Sequence, residues 1–410
     1  MKYGKKRWIV FLLCCIALLF VILTAFGVKS KLPSKPGKWV AGWSAPPQPP
    51  SETGVSHDGF TNQTLRMIVH PNIGGDHVRL HFSNVFGTAP VTFQAVRVAN
   101  DQGGAQTLLG SDRKVTFKGK AAITIPPGQT VTSDPVSIHV DSQRNLAVSI
   151  YVKKGTGPTT WHQHSMQTTY LSTSGNHASD KLGTAFKKKE QEWFWLDGVD
   201  VKADSGVKGA IAVVGSSIAN GNHSTPDTNR RWIDDLGERL NSEQPGTWSI
   251  INAGISANQL LESSDANGEK PLNRLKRDVF SQTDISGVIL HEGINDIRHH
   301  PDIDADQMIH EMKKIIRASH EHGLKIYGGT IVPYGGAKLY TDSGEKTREA
   351  VNHWIRTSGA FDGVIDFDKA LRDPKDPKRY RPGYGWSDHF HPNDKGYQVM
   401  ADAVNFSLFK

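Results

Sequence analysis

A chain of 410 residues, 37% hydrophobic and 22% charged, is long enough for two folded domains and too apolar for a disordered one. Its formal net charge of +7 and pI near 9.1 come from Lys and Arg scattered along the chain, and no basic stripe interleaved with aromatic residues marks a nucleic-acid partner. The two cysteines, Cys14 and Cys15, are neighbours in an apolar run, so the rest of the chain has neither a disulfide nor a thiolate metal site.

The basic start "MKYGKKR" precedes the uncharged run Trp8 to Val28, about the length a helix needs to cross a bilayer. Residues 1–28 are read as a membrane anchor with the body of the protein outside the cell. Cleavage near Ala25-Phe26-Gly27 would instead make the run a secretory signal and the protein secreted. The segment 29–38, stiffened by Pro33 and Pro36, reads as a short tether.

From residue 39 to 202 the pattern is one of short alternating runs, such as "VTFQAVRVA", "VSIHV" and "NLAVSIYV". Gly, Pro, Asn and Asp clusters separate them and no helical period persists, which predicts an antiparallel β-sandwich. From residue 203 to 410 the rhythm changes. "GAIAVVG", "WSIINAG", "SGVILHEG", "LKIYGGTIVP" and "FDGVIDF" are five compact apolar runs, and each of the first four is followed by enough chain for a helix. In one such stretch Trp232, Leu236 and Leu240 share a face; in another Met308, Met312 and Ile315 or Ile316 do, with Gly323 placed to end the helix. This alternation predicts an α/β domain with a five-stranded parallel sheet, whose functional groups collect at the carboxyl ends of the strands.

Those ends carry a coherent set. Gly215, Ser216 and Ser217 follow the first run; Asn252, Ala253 and Gly254 the second; Gly293, Asn295 and Asp296 the third. Past the fifth run comes "SDHFHPND", with Asp388 and His391 three residues apart. Alone, each is an ordinary turn or cap residue. Together they place a hydroxyl, an amide and an Asp/His pair along one sheet edge, the parts nucleophilic catalysis needs.

The blocks "GSSI", "NAGIS", "GIND" and "DHFH" resemble the four sequence blocks of the GDSL, or SGNH, serine hydrolases, over Val207 to about Ala403. "FTNQTLRMIV", "VRLHFSNVFGTAPV", "QTTYLS" and "ALRDPKDPKRY" are similar to a bacterial secreted subgroup in which a β-sandwich precedes the hydrolase. The resemblance implies a flavodoxin-like three-layer α/β/α domain and a cofactor-free, metal-free serine esterase or lipase. By position it implies Ser217 as nucleophile, His391 as base and Asp388 as its orienting carboxylate. The oxyanion donors it implies are the backbone N–H groups of Ser217 and Gly254 and the side-chain amide of Asn295. Ser216 stands where the family keeps an aspartate. His389 is the rival base, disfavoured because a bond between adjacent side chains is strained.

"DIDAD", residues 302–306, lacks the glycine and distal glutamate of a calcium loop, and His320 and His322 read as exposed residues at a helix end. The expected substrate is a small ester, an acylated glycan or a lipid, with Trp161, Trp193, Trp195 and Trp386 as candidate sugar platforms. A weakened enzyme acting as a carbohydrate-binding module, and an acyltransferase using the same triad, are the alternatives.

Overall fold

The computed structural model describes residues 37–409, so the expected anchor at 1–28 and nearly all of the tether lie outside the described residues. Among the described residues no helix is long and apolar enough to cross a membrane.

Two antiparallel sheets build the first region. One runs Lys38–Ser44, Leu196–Ala203, Gly75–Ser83, Thr130–Thr132, with Val136–Val140 also paired to Gly75–Ser83. The other runs Phe186–Glu190, Thr169–Ser174, Gln63–Val69, Leu146–Val152, Val91–Gly103, with short strands along its last edge. Side chains alternate across each strand, and in Gly75–Ser83 the apolar Val78, Leu80 and Phe82 are buried. Phe82 meets Phe93 of the other sheet edge-on, with ring centroids 5.4 Å apart, so the sheets close face to face as expected. Leu146–Val152 is buried on both faces, because Arg66 folds over its outer side, donates to Ser149 Oγ and lies under the Phe186 ring.

The second region holds a parallel sheet of five strands: β1 (Gly209–Gly215), β2 (Trp248–Gly254), β3 (Ile285–His291), β4 (Lys325–Gly329) and β5 (Gly363–Ile365). Their order is β2-β1-β3-β4-β5, that of a doubly wound sheet. The helices used below are α1 (Ser217–Asn220), α2 (Trp232–Glu243), α3 (Pro271–Leu275), α4 (Ile294–His299), α5 (Ala305–Glu321), α6 (Asp342–Thr357), α7 (Phe367–Leu371) and α8 (Asp394–Asp402). Alternate residues of β1 enter different cores. Ile211 and Val213 pack with Trp232 and Leu236 of α2 and Tyr397 and Met400 of α8. Ala210, Ala212 and Val214 belong with Met308, Met312 and Ile315 of α5 and Val351 of α6. A strand buried on both faces reads as a continuous apolar run, which is what "GAIAVVG" is.

Helix ends follow their sequence signals. The Asp304 side chain accepts the Asp306 N–H at the start of α5, and Gly323, at φ +72°, takes the left-handed turn just past its end. The chain between β2 and β3, long enough for a helix, forms only short helical pieces. It makes α3 and then one π-type turn, Lys276–Phe280.

The two regions are joined by hydrogen bonds onto backbone carbonyls of the second. Ala41 N–H donates to Thr283 O (2.9 Å), Ser44 Oγ to Asn252 O (2.7 Å) and Asn72 Nδ2 to Ile250 O (2.9 Å). The first strand of the sandwich therefore lies against the strands that carry the serine and glycine blocks.

Candidate active site

β1 ends at Gly215, where any side chain would strike His291 O at 2.2 Å. The chain turns at Ser216 and enters α1, whose first residue is Ser217. Gly221, at φ +96°, closes that short helix in the left-handed region. Ser217 is thus fixed at the mouth of a sharp strand-to-helix turn.

The loop before α8 supplies the rest. Asp388 Oδ1 accepts the N–H groups of Phe390 (2.9 Å) and His391 (3.0 Å), which locks the carboxylate's direction. Its Oδ2 lies 2.6 Å from His391 Nδ1, and His391 Nε2 lies 2.9 Å from Ser217 Oγ. A neutral imidazole donating from Nδ1 to Asp388 leaves its Nε2 lone pair for the serine proton. Burial holds His391 below its ordinary value of 6.5, opposing the pull of Asp388, and His223 and Arg298 push the same way as burial. Burial would raise Asp388, but its bonds to the side chain and N–H of His391 and to Phe390 N–H outweigh it and hold the carboxyl well below the ordinary range. His389 sits in the left-handed region at φ +56°, is exposed, and lines a neighbouring groove instead of the relay.

Asn295, in the first turn of α4, is buried beside this group. Its Nδ2 donates to Asn258 O (3.0 Å) and its Oδ1 accepts from Arg298 (3.2 Å), which leaves one amide hydrogen uncommitted. Gly254 differs from the expectation. Its N–H already donates to Asn252 Oδ1 at 2.8 Å, and α1 packs so closely on it that a Cβ would stand 2.5 Å from Asn220 N. The glycine serves close approach of helix to strand, and its donor is spent. Three residues on, Ala257 is held at φ +63°, a region costly for a residue with a Cβ. Among the described residues its N–H has no hydrogen-bond partner. Its neighbours tie it into the site: Ser256 Oγ donates to Asn222 Oδ1 (2.8 Å), and Asn258 O accepts the Asn295 amide.

Several supporting residues carry no motif signal. Asn220, the last residue of α1, donates to His164 O and Asn222 Oδ1, both at 2.8 Å, and its Oδ1 faces His162 Nε2 at 2.8 Å. Arg274 is fully buried, donating to Ala253 O (2.6 Å), Gly215 O (3.4 Å) and Asn258 Oδ1 (2.9 Å) and pairing with Asp278 (3.2 Å). It ties the ends of β1 and β2 together from beneath. Its i,i+4 spacing to Asp278 is visible in sequence but is also that of any exposed helical pair. Ser216 lies against the carboxyl of Glu292, which burial and then Asp296 push well above the ordinary range. His223, in the left-handed region at φ +66°, places its ring 4.6 Å from that of His391 and stacks on Trp386 at 5.3 Å.

The expected sugar platforms divide. Trp161, Trp193 and Trp195 are core residues, whereas Trp386 is 46% exposed. Trp386 also lines a groove of about 400 Å³ with Asp373, Arg379, Arg381, Ser387 and His389. Asp304 caps a helix, His320 pairs with Asp362 (2.9 Å) and His322 stacks on Phe280.

Residues 213–399 match the model of the GDSL-like Lipase/Acylhydrolase family. A search of curated proteins gives no match. Among solved structures, a G-D-S-L family lipolytic protein from Desulfitobacterium hafniense DCB-2 is similar at 17% identity, covering 47% of this chain and 96% of that one, with a TM-score of 0.37. A carbohydrate acetylesterase from Sinorhizobium meliloti is similar at 14% identity, covering 47% and 95%, with a TM-score of 0.38. A GDSL-like lipase from Bacteroides thetaiotaomicron VPI-5482 is similar at 15% identity, covering 49% and 87%, with a TM-score of 0.36.

Proposed function

We propose that the chain, whose residues 213–399 match the GDSL-like lipase/acylhydrolase family model, is a serine esterase that removes small acyl groups from a carbohydrate. The observation that carries the reading is the continuous relay Ser217–His391–Asp388.

In the proposed reaction Ser217 Oγ attacks the ester carbonyl carbon while His391 Nε2 takes its proton. Asp388 stabilises the imidazolium and stays ionised. The tetrahedral intermediate collapses, the carbon–oxygen bond to the alcohol breaks, and His391 protonates the leaving oxygen. Water, deprotonated by the same imidazole, then releases the acid from Ser217. The negative oxygen of each intermediate is met by Ser217 N–H, the free hydrogen of the Asn295 amide and Ala257 N–H. Ala257 takes the place expected of Gly254, whose N–H is held by Asn252.

The surroundings of the relay support a polar alcohol. The exposed large apolar side chains among the described residues are Leu109, Leu182, Leu339 and Trp386. Trp386 adjoins the relay through its stack on His223. The groove it borders carries Asp373, Arg379, Arg381 and Ser387. A sugar ring stacks on an aromatic face and hydrogen-bonds to such groups. The uncharged run Trp8 to Val28 supports an extracytoplasmic location, with the chain anchored or secreted.

The test is a rate series from acetyl to long-chain p-nitrophenyl esters, run beside acetylated polysaccharide, with membrane and medium fractions assayed from expressing cells. The reading expects kcat/KM to fall as the acyl chain lengthens, and acetate to be released from the glycan. A preference for long chains with no glycan turnover would overturn the carbohydrate assignment.

A further inference from the structure

His223 is an imidazole beside the relay that the esterase chemistry leaves unused. Its Nε2 lies 3.7 Å from Asp388 Oδ2 and has no hydrogen-bond partner among the described residues. Asp388 Oδ2 is in turn 2.6 Å from His391 Nδ1. Ligating atoms of His223, Asp388 and His391 all lie within 4.8 Å of one another. We propose that these three residues form a binding site for a zinc-class divalent cation, and that its occupancy switches the esterase off.

The geometry suits this ion. Tetrahedral zinc with ligands at about 2.1 Å separates neighbouring ligand atoms by about 3.4 Å, and the observed gaps of 2.6 and 3.7 Å bracket that spacing. Two imidazoles and one carboxylate suit zinc or copper, whereas magnesium and calcium prefer all-oxygen shells. The His223 and Asp388 side chains are 39% and 35% exposed, so an ion reaches them and a water completes the fourth position. Stacking on Trp386 and a left-handed backbone hold the His223 ring in place before any ion arrives.

The consequence follows from proton bookkeeping. The ion bonds to His391 Nδ1 and Asp388 Oδ2 and replaces the hydrogen bond between them. The Nδ1 proton passes through solvent to Nε2, so the ring stays neutral and no proton is lost or gained. With Nε2 protonated, His391 has no lone pair to accept the Ser217 proton. The inhibition rests on the esterase reading; the binding does not.

The experiment uses untagged, chelator-treated full chain. Zinc chloride is titrated calorimetrically into the Ser217→Ala variant, and the wild type is assayed with p-nitrophenyl acetate over the same zinc range. One saturable site is expected, with inhibition reversed by EDTA and no effect of magnesium or calcium at equal concentration. His223→Asn tolerates the left-handed backbone and His223→Gly adopts it without steric strain. Each is expected to raise the half-inhibiting zinc concentration at least tenfold, relative to its own metal-free rate, and to weaken binding equally in the Ser217→Ala background. Unchanged zinc sensitivity in both variants, or no saturable binding, would overturn the site. Binding that His223→Asn weakens, in a wild type without ester turnover, would uphold the site and sink the esterase reading.

Discussion

His162, in the sandwich region, faces Asn220, the last residue of the nucleophile helix, with Nε2 2.8 Å from Oδ1. The other ring nitrogen lies 2.8 Å from Pro46 O, so a fully buried imidazole links the sandwich to the turn that aims Ser217. The sandwich is thereby tied to the turn that carries Ser217.

Asn220→Ala removes this link and the donors to His164 O and Asn222. We expect a stability loss of about 1–3 kcal/mol, the cost of stranding buried polar partners. We also expect a fall in kcat with KM little changed. Urea denaturation and steady-state kinetics check the two effects. A full kcat in a folded variant would show that the sandwich does not set the serine's geometry.

Activity should persist into mildly acidic solution. Burial holds His391 below 6.5, and only its neutral form accepts the serine proton. As pH falls through 6.5 the base therefore stays active, and kcat/KM drops only at lower pH. The pH–rate profile measures this directly; an acid limb centred above 7 contradicts it.

Ser216 and Glu292 give a stability prediction with the opposite slope. Glu292 binds its proton more tightly folded than unfolded, because burial and then Asp296 raise its value above 4.5. Stability attributable to it is present below the unfolded value and declines as pH rises through the folded one. Ser216→Asp restores the family's carboxylate but sets a second acid against Glu292, and two acids so placed resist joint ionisation. Thermal melts should show the variant's penalty growing from pH 5 to pH 8. Glu292→Gln should flatten that dependence.

Ala257→Gly relieves a left-handed residue while keeping its N–H. Removing the Cβ penalty gains about 1–2 kcal/mol, against about 0.5–1 kcal/mol of glycine entropy. A net gain near 0.5–1 kcal/mol with activity retained is expected from chemical denaturation and the esterase assay.

Much of this is legible in sequence, because the candidate catalytic groups sit at strand ends and their local spacing is short. "GSSI", "GIND" and "DHFH" mark Ser217, Asn295, Asp388 and His391, and the switch from alternating runs to five compact ones marks the change of fold. What escaped was long-range. Arg274 reads as one member of a surface helical pair until its partners prove to be Gly215 O and Ala253 O. His223 and Trp386 meet only because distant loops bring them beside His391. Gly254 reads as an oxyanion donor because a glycine in a motif does not show where its N–H points, and in the fold Asn252, two residues earlier, accepts it.

The proposed function rests on Ser217 as the nucleophile of an ester hydrolase. It is tested most directly by incubating the folded full chain with a fluorophosphonate, mapping the adduct by mass spectrometry, and assaying Ser217→Ala on p-nitrophenyl acetate. One adduct is expected, on Ser217, with a fall in turnover of about 10³-fold or more in the variant. An unlabelled Ser217, with the variant as active as wild type, would contradict it.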